Sequence, residues 1–474
     1  MNLLEKNKEH SKWTVLFVVV LMSFMACVDS SIVNVALPTM ARKLSVSMAE
    51  IEWVVASYVM VICASLLIFG RLGDIKGKSR IFKIGTILFT FASLMCGLST
   101  SLTMLVIFRI IQGIGAGAYM ANNQGIITQI FSKEERGKAL GILVSGVALG
   151  NMIGAPVGGL IISSLSWNYI FLVNVPIGII AFAAGLKVLP KGKNNDEEFD
   201  VKGAILYSIA IMLLFGSLIG EQQFGYKNLV IIMSFILSIF CLIVFIVLQK
   251  NMKIPLLQLE IFKNGLFSLS LFCAFVSFVC LSASIIIIPF YLQDTLKMSS
   301  SAAGLFMIVQ PLILALISPA SGNLADKMGA EIQTLIGLIF MAGGFLFMAS
   351  LNEHSFFINI VLCVAFIALG QGIFQPANNS LIMSTVPKHK LGIAGSVNSL
   401  VRNLGQMVGI TLATTILYNF MSYKIGYRVI NYVFGRDDVF VYGMKHVYIV
   451  LVFICCVGIF FTVFRIMKKK QINS

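Results

Sequence analysis

The chain has 474 residues, of which 58% are hydrophobic and 12% charged, and its mean hydropathy is +0.93. A soluble domain of this length needs many more polar residues at its surface, so the composition excludes a soluble globular protein. The net charge of +15 does not indicate nucleic-acid binding, because lysine and arginine concentrate on alternate loops between apolar runs, as in membrane proteins.

Runs of about 20 apolar residues, each long enough to cross roughly 30 Å of hydrocarbon, recur along the sequence. Because backbone polar groups in lipid must be hydrogen-bonded within their own segment, these runs predict an all-α polytopic membrane protein. Fourteen spans are predicted, at 13–37, 51–70, 81–101, 104–131, 139–163, 167–189, 203–220, 229–249, 266–292, 302–322, 331–351, 357–382, 392–420 and 445–466. The basic loops place both termini on the cytoplasmic side of a cell membrane, and a bacterial plasma membrane is expected.

The first span contains a carboxylate, Asp29, in the stretch ACVDSSIVNVALP at 26–38. A charged side chain at this depth is costly and usually functional. Arg109, inside the fourth span, is its candidate partner, because an adjacent cation favours the carboxylate whereas burial favours the neutral acid, so that small movements load or release a proton. The alternative is a structural role, with a neutral Asp29 packed against nearby polar side chains and Arg109 in a structural ion pair.

The loop GRLGDIKGKSR at 70–80 joins the second and third spans. Its turn requires Gly77, and Asp74 can either face a helix N-terminus or pair with Arg136 across the cytoplasmic side. We interpret these residues, with Asp326 in the second half of the chain, as a conformational latch that breaks when the halves move. The alternative is a basic loop that only sets topology.

An internal repeat relates the two halves of the chain. GRLGDIKGKSR resembles SGNLADKMGAE at 321–331, and Asp74 and Asp326, Gly77 and Gly329, and Gly85 and Gly337 are separated by the same interval. Such repeats are typical of secondary transporters. The predicted domains are a six-helix half at 1–190, two additional helices with linkers at 191–265, and a second six-helix half at 266–474.

The fifth span carries GVALGNMIGAPVGG at 146–159. Glycines four residues apart share one helix face, which lets another helix approach closely, and the proline can bend the segment. The residues of this motif are Gly146, Gly150, Gly154, Pro156 and Gly158. Generic tight packing is the alternative to a specific role in transport.

Near the C-terminus, the segment 421–444 alternates apolar and polar residues around a Gly-Arg-Asp-Asp turn. This pattern predicts a β-hairpin over the outer mouth of the protein.

Polar and aromatic residues within the spans are candidates for a substrate cavity, because flexible and aromatic surfaces suit varied amphiphilic ligands. They are Asn34, Asn122, Asn123, Gln371, Phe374, Gln375 and Asn378. The cysteines and histidines show no metal-ligand spacing, so no metal site is predicted.

Six motifs together resemble the fourteen-helix drug:proton antiporter branch of the major facilitator superfamily. They are VDSSIVNVALP, GRLGDIKGKSR, RIIQGIGAG at 109–117, GVALGNMIGAPVGG, WNYIFLVNVPIG at 167–178 and FYLQDTLKMSSSAAG at 290–304. The resemblance implies a major facilitator fold of six, two and six helices, and export of hydrophobic or amphiphilic small molecules.

The energy source for transport is inferred from the lack of an ATP-binding motif in the sequence. GDIKGKS at 73–79 is one residue short of a phosphate-binding loop and follows a membrane helix instead of a strand. Without an ATP site, uphill transport needs an ion gradient, and one carboxylate suits H⁺ better than Na⁺. The leading hypothesis is a monomeric proton-coupled exporter without a cofactor. A transporter of a lipid or endogenous metabolite and a non-transporting sensor are alternatives, and the absence of a nucleophile–base set argues against an enzyme.

Overall fold

The structure, a computed structural model, describes residues 3–132, 135–190, 198–224, 228–252, 255–257, 259–386 and 391–473. In these residues the helices are α1 (Leu3–Leu44), α2 (Met48–Ile51), α3 (Trp53–Lys76), α4 (Lys78–Gly97), α5 (Leu102–Met120), α6 (Asn123–Ile130), α7 (Arg136–Ser164), α8 (Tyr169–Leu172), α9 (Asn174–Val188), α10 (Val201–Phe224), α11 (Leu229–Asn251), α12 (Gly265–Phe290), α13 (Ser300–Phe306), α14 (Val309–Met328), α15 (Ala330–Ala349), α16 (Phe357–Ser384), α17 (Leu391–Ile425) and α18 (Asp437–Asn473). A 3₁₀ turn covers Leu259–Lys263 and a π-helical turn Tyr291–Thr295.

Fourteen helical stretches in the described part of the chain are long and apolar enough to cross a membrane. Each overlaps one predicted span, so the predicted all-α polytopic fold is confirmed. Helix α11 exposes most of its apolar side chains, and Leu229 is 71% exposed. A helix that is apolar on all sides is stable in this position because its solvent is lipid.

Polar side chains at helix starts satisfy backbone N–H groups that have no partner within the helix. Ser101 accepts a hydrogen bond from the backbone of α5, and Asn264 and Ser299 do the same for α12 and α13. Such caps fix where an apolar helix begins, which apolarity alone does not determine.

The chain forms two compact units. Unit 1 contains Met1–Val46, Ile51–Gly216 and Met233–Leu257, and unit 2 contains Ser47–Glu50, Ser217–Ile232 and Gln258–Ser474. Most of α10 and α11, the two additional helices, falls in unit 1. The division of the sequence into 1–190, 191–265 and 266–474 stays a prediction.

Contacts of α10 explain its place in unit 1. The Tyr207 hydroxyl donates a hydrogen bond to the carbonyl of Cys63 in α3, at 3.1 Å, and the Tyr207 and Phe245 ring centroids are 5.2 Å apart. One side chain of α10 thus contacts both α3 and α11.

The internal repeat reappears in two tight turns. Gly77, between α3 and α4, has φ +93°, and Gly329, between α14 and α15, has φ +85°. Side chains rarely adopt this backbone conformation, so both turns require glycine.

The helices after these turns also pack alike. A Cβ added to Gly85 would lie 2.7 Å from the carbonyl oxygen of Gly115, and a Cβ added to Gly337 would lie 2.7 Å from that of Gly370. In each unit, a pair of adjacent helices thus crosses at glycines with their backbones in close contact.

The predicted β-hairpin at 421–444 is wrong. Helix α17 continues to Ile425 and α18 begins at Asp437, and the described residues between them form an irregular loop without strands. Gly426, with φ +89°, ends α17 in a conformation typical of helix C-termini.

Side chains take the place of the expected strand pairing in this loop. The backbone N–H of Val429 donates to the Ser422 hydroxyl at 2.8 Å, and the buried side chains of Val429 and Tyr432 account for the apolar alternation. Asp437 and Asp438 lie in the first turn of α18, where negative charge favours a helix start.

Candidate functional site

The candidate site lies in the interior of unit 1. Asp29 is in α1, Arg109 and Gln112 are one turn apart on α5, and Asn174 begins α9. All four side chains are 0% exposed. The structure therefore brings the two predicted site residues, Asp29 and Arg109, together away from lipid and water.

An ion pair joins these two residues. The Nη1 atom of Arg109 donates to Oδ2 of Asp29 at 2.6 Å. Removing one partner of a buried pair costs about 3–5 kcal/mol, whereas replacing both with apolar residues is often neutral. Net stability is thus a poor reason for this pair, and we take it as an indication of function.

Several groups hold the guanidinium of Arg109 in place. Its Nε donates to the carbonyl oxygen of Val54 at 2.9 Å, and its Nη1 also donates to Oε1 of Gln112 at 2.7 Å. Its Cζ atom is 4.0 Å from the ring centroid of Tyr58 and 5.8 Å from that of Phe171. A cation over an aromatic face is stabilised most strongly where water is excluded.

The second oxygen of Asp29 accepts two further hydrogen bonds. Its Oδ1 lies 3.1 Å from Nε2 of Gln112 and 2.6 Å from Nδ2 of Asn174. The same Gln112 nitrogen donates to the Ser93 hydroxyl at 2.8 Å. With three donors, the carboxylate has the hydrogen bonds that a buried charge requires.

Proton binding at Asp29 stays a prediction, but the hydrogen bonds show what Arg109 would keep. If Asp29 takes up H⁺, the charge of the pair changes, and Arg109 still retains Val54, Gln112 and the face of Tyr58. The pair can therefore open without leaving the guanidinium without partners.

The glycine face of α7 packs directly on α1, the helix that carries Asp29. A Cβ added to any of its four glycines would come within 3.1 Å of α1 atoms. The distances are 2.5 Å from Gly146 to Val20, 2.6 Å from Gly150 to Phe24, 2.7 Å from Gly154 to Ser31 and 3.1 Å from Gly158 to Ile32. Pro156 lies within the same helix.

We expect Gly150→Ala to lower the free energy of unfolding by about 1–3 kcal/mol, the usual cost of overpacking. The added methyl group would meet the backbone oxygen of Phe24, which cannot rotate away. Gly343→Ala is the matched control, since a Cβ there has no neighbour within 4 Å. Thermal unfolding of the purified variants checks this, and equal melting temperatures would contradict it.

Of the predicted latch, the structure describes Asp74 and Gly77. Asp74 forms an ion pair with Lys78 one turn further on. The side chains of Arg136 and Asp326 lie outside the described residues. A pair between Asp74 and Arg136 therefore stays a prediction.

Three candidate cavity asparagines are buried and donate hydrogen bonds within their own unit. The amide of Asn122 donates to the carbonyl of Phe69 at 3.1 Å. Asn123 donates to the hydroxyl of Ser23 at 2.6 Å, and Asn378 to the carbonyl of Ser270 at 3.0 Å. These bonds connect helices, and contact with a substrate stays a prediction.

The other candidate cavity residues differ in exposure. Phe374 is buried against Gly337. Gln371 is 9% exposed and accepts a hydrogen bond from Gln310 at 3.1 Å. Asn34 and Gln375 are half-buried. Their role in substrate binding also stays a prediction.

Sequence reasoning missed Gln112, Asn174 and Tyr58 as partners of the ion pair. Gln112 carried a signal, because it follows Arg109 by three residues and so shares its helix face. Asn174 lies in the quoted motif WNYIFLVNVPIG, but the motif does not reveal its partner.

A buried charged residue was also missed. Arg465, in α18, is 2% exposed. Arg465 donates to the Ser270 hydroxyl at 3.0 Å and also to Thr334. Its position inside the last predicted span was the available signal.

Comparisons with known proteins agree with this architecture. The sequence profile of the Major Facilitator Superfamily matches residues 19–269, 201–410 and 270–471. The chain is 33% identical to the riboflavin transporter RibZ of Clostridioides difficile, over 97% of this chain and 99% of that protein. It is 28% identical to the multidrug transporter protein MdtP of Bacillus subtilis, over 87% and 77%.

Similarity of fold extends to a solved structure of a POT family transporter in complex with a thioalcohol conjugated peptide. The TM-score is 0.71 at 16% identity, covering 97% of this chain and 96% of the other. This likeness concerns the fold alone. With the family profile covering most of the sequence, the chain belongs to the Major Facilitator Superfamily, and it is a membrane transporter, not an enzyme.

Proposed function

We propose that this transporter exports hydrophobic or amphiphilic small molecules in exchange for protons, by alternating access. The observation that carries the proposal is the buried pair of Asp29 and Arg109. A carboxylate with one cation and two amide partners can gain and lose a proton, and it offers too few oxygens for a sodium ion. The likeness to the multidrug transporter of Bacillus subtilis supports the substrate class.

The ion pair suggests how proton binding and movement are linked. Asp29 and Arg109 lie on different helices, α1 and α5, so neutralising the carboxyl weakens the contact between them. The glycine face of α7 keeps α1 in close contact with its neighbour. A change of charge at Asp29 therefore acts on whole helices. An ion pair that is closed in one state and open in the other is the kind of bistable contact that switching requires.

The proposal includes the setting in which the protein works. It acts as a monomer in the lipid bilayer of a bacterial plasma membrane, with both termini in the cytoplasm. Its partners are protons and one small substrate, and it needs no cofactor because the proton gradient supplies the energy.

A second candidate is export or uptake of an endogenous metabolite or a lipid by the same machinery. The observation that favours a metabolite is the 33% identity with a riboflavin transporter across nearly the whole chain. Riboflavin is therefore the first metabolite to test.

A transport assay in liposomes tests the proposal. The panel contains an amphiphilic cationic dye, riboflavin and a fluorescent phospholipid, each with an imposed proton gradient and with the gradient abolished by a protonophore. We expect the dye to accumulate against its gradient only when the proton gradient is present. Riboflavin transport without dye transport would favour the second candidate, and accumulation that ignores the protonophore would contradict proton coupling.

A further inference from the structure

Asn174 contacts the carboxyl group of Asp29 with only half of its amide. Its Nδ2 donates to Oδ1 of Asp29 at 2.6 Å, and its own Oδ1 has no hydrogen-bond partner, although the residue is 0% exposed. A buried polar atom without a partner is costly and calls for an explanation.

The other amide at the site is already fully used. Gln112 donates through Nε2 to both Asp29 and Ser93, and its Oε1 accepts from Nη1 of Arg109. Its Oε1 also accepts a hydrogen bond from the thiol of Cys96 at 4.0 Å, so turning this amide would break four hydrogen bonds. Turning the amide of Asn174 would break only one.

The two protonation states of Asp29 need opposite partners. A carboxylate only accepts hydrogen bonds, whereas a carboxylic acid also has one O–H to donate. When a proton forms the O–H bond at Oδ1, the Nδ2 group of Asn174 faces another hydrogen. Half a turn of the amide brings the unpartnered oxygen to the same place.

We propose that Asn174 is a positioning residue that serves both states of Asp29, donating to the carboxylate and, after its amide turns, accepting from the acid. This inference rests on the proposed proton-coupled function. It assigns a role to the WNYIFLVNVPIG motif: the asparagine keeps the carboxyl in one place while its charge changes, so that protonation does not leave a buried donor without a partner.

The titratable groups around Asp29 are not placed to hydrogen-bond its Oδ1 in both protonation states. Arg109 only donates hydrogen bonds. The phenols of Tyr58 and Tyr119 and the thiol of Cys96 are close enough to interact electrostatically with Asp29, and Cys27 lies near the two phenols. None of these groups is placed by a described hydrogen bond on Oδ1 of Asp29, where Asn174 and Gln112 are.

Infrared difference spectra recorded while the pH changes test the inference. The carbonyl band of protonated Asp29 is identified by its absence in Asp29→Asn. In Asn174→Leu, which keeps the size but neither donates nor accepts, we expect this band to move to higher frequency, and gradient-driven transport to fall by about tenfold or more, as expected for a lost hydrogen bond to a charged group. Asn174→Thr has a shorter side chain whose hydroxyl can both donate and accept a hydrogen bond. Its Asp29 band frequency and its transport rate should lie between those of the parent and those of Asn174→Leu.

Asn168→Leu is the matched control from the same motif, because its amide donates to the carbonyls of Gly97 and Ser99. It should leave the Asp29 band unmoved. Should Asn174→Leu not fold, carbon-13 labelling of the asparagine amides in the parent gives a second readout, since one amide band must shift at the pH where the Asp29 band appears.

An Asp29 band that stays in place in the Asn174 variants, or no pH-dependent band at all, would overturn the inference. The transport assay of the parent separates this from the wider proposal. If transport by the parent does not depend on the proton gradient, proton-coupled export is refuted. If the Asp29 band nevertheless shifts in Asn174→Leu, the inferred hydrogen bond between Asn174 and Asp29 is still supported.

Discussion

Replacing Arg109 with glutamine is expected to lower the free energy of unfolding by about 3–5 kcal/mol, and adding Asp29→Asn is expected to restore most of that loss. The single variant leaves a buried carboxylate with two amide donors and no cation. The double variant removes both charges together. The rescue is thus a sharper prediction than the loss, since most core substitutions destabilise a protein.

The loss in Arg109→Gln should depend on pH. Acid neutralises the stranded carboxyl, and a neutral acid is far cheaper to bury than a charge. We therefore expect this variant to recover stability as the pH falls, relative to the parent at the same pH. The double variant should show no such recovery, because it has no carboxyl at this position.

Thermal and denaturant unfolding of the four proteins, compared as a double-mutant cycle, measures the coupling between the two residues. Arg465→Gln is the matched control, since this buried arginine contacts the hydroxyls of Ser270 and Thr334. Adding Asp29→Asn should not rescue it. Additive effects of the Arg109 and Asp29 substitutions would show that the ion pair is not the source of the loss.

Much of the fold was predictable because lipid imposes simple rules on sequence. Each span had to be apolar and helical, so fourteen apolar runs predicted fourteen spans, and the described part of the chain has fourteen helical stretches that can cross a membrane. The turn glycines Gly77 and Gly329 helped to reveal the repeat, because few other residues adopt their backbone conformation. Asp29 was conspicuous for the same reason, as a charge where lipid disfavours one.

What the sequence did not reveal are partners brought together from distant parts of the chain. Asn174 reaches Asp29 only because α9 packs beside α1, and no spacing in the sequence encodes that contact. Asn122 illustrates a second difficulty. A polar residue within a span can face a cavity or bond a neighbouring helix, and its buried amide donates to the carbonyl of Phe69.

The wrong hairpin has a different cause. Alternating apolar residues indicate a strand only if a partner strand exists. A loop in which one side chain every few residues is buried gives the same pattern. In the described loop, Val429 and Tyr432 are buried and the Ser422 hydroxyl replaces a ladder partner. Local pattern did not distinguish the two arrangements.

Asp29→Asn is expected to reduce gradient-driven transport to the level of protein-free liposomes while the protein stays folded. Asparagine has nearly the same size and can still accept a hydrogen bond from Arg109, but it cannot take up a proton. Arg109 keeps the carbonyl of Val54 and the amide of Gln112. Because the buried guanidinium loses its counter-ion, the free energy of unfolding should also fall by about 3–5 kcal/mol, and transport is therefore compared at equal amounts of folded protein.

Exchange of labelled for unlabelled substrate across a membrane without a proton gradient measures movement that needs no net proton transfer. Asp29→Asn should retain it. Asp200→Asn is the matched control, because this carboxylate accepts hydrogen bonds from Gln249 and the backbone of Gly203 beside α10, away from the pair, and it should transport like the parent.

The combination of results identifies what Asp29 does. Loss of driven transport with exchange retained is the result that proton binding at this carboxyl requires, since only the coupled process needs the proton. If both activities disappear in a folded variant, the charge is needed for movement itself and the pair is a structural element of the cycle. If driven transport and exchange both persist, the proton binds elsewhere. The buried carboxylate and its three hydrogen-bond donors then serve only to pack α1 against its neighbouring helices.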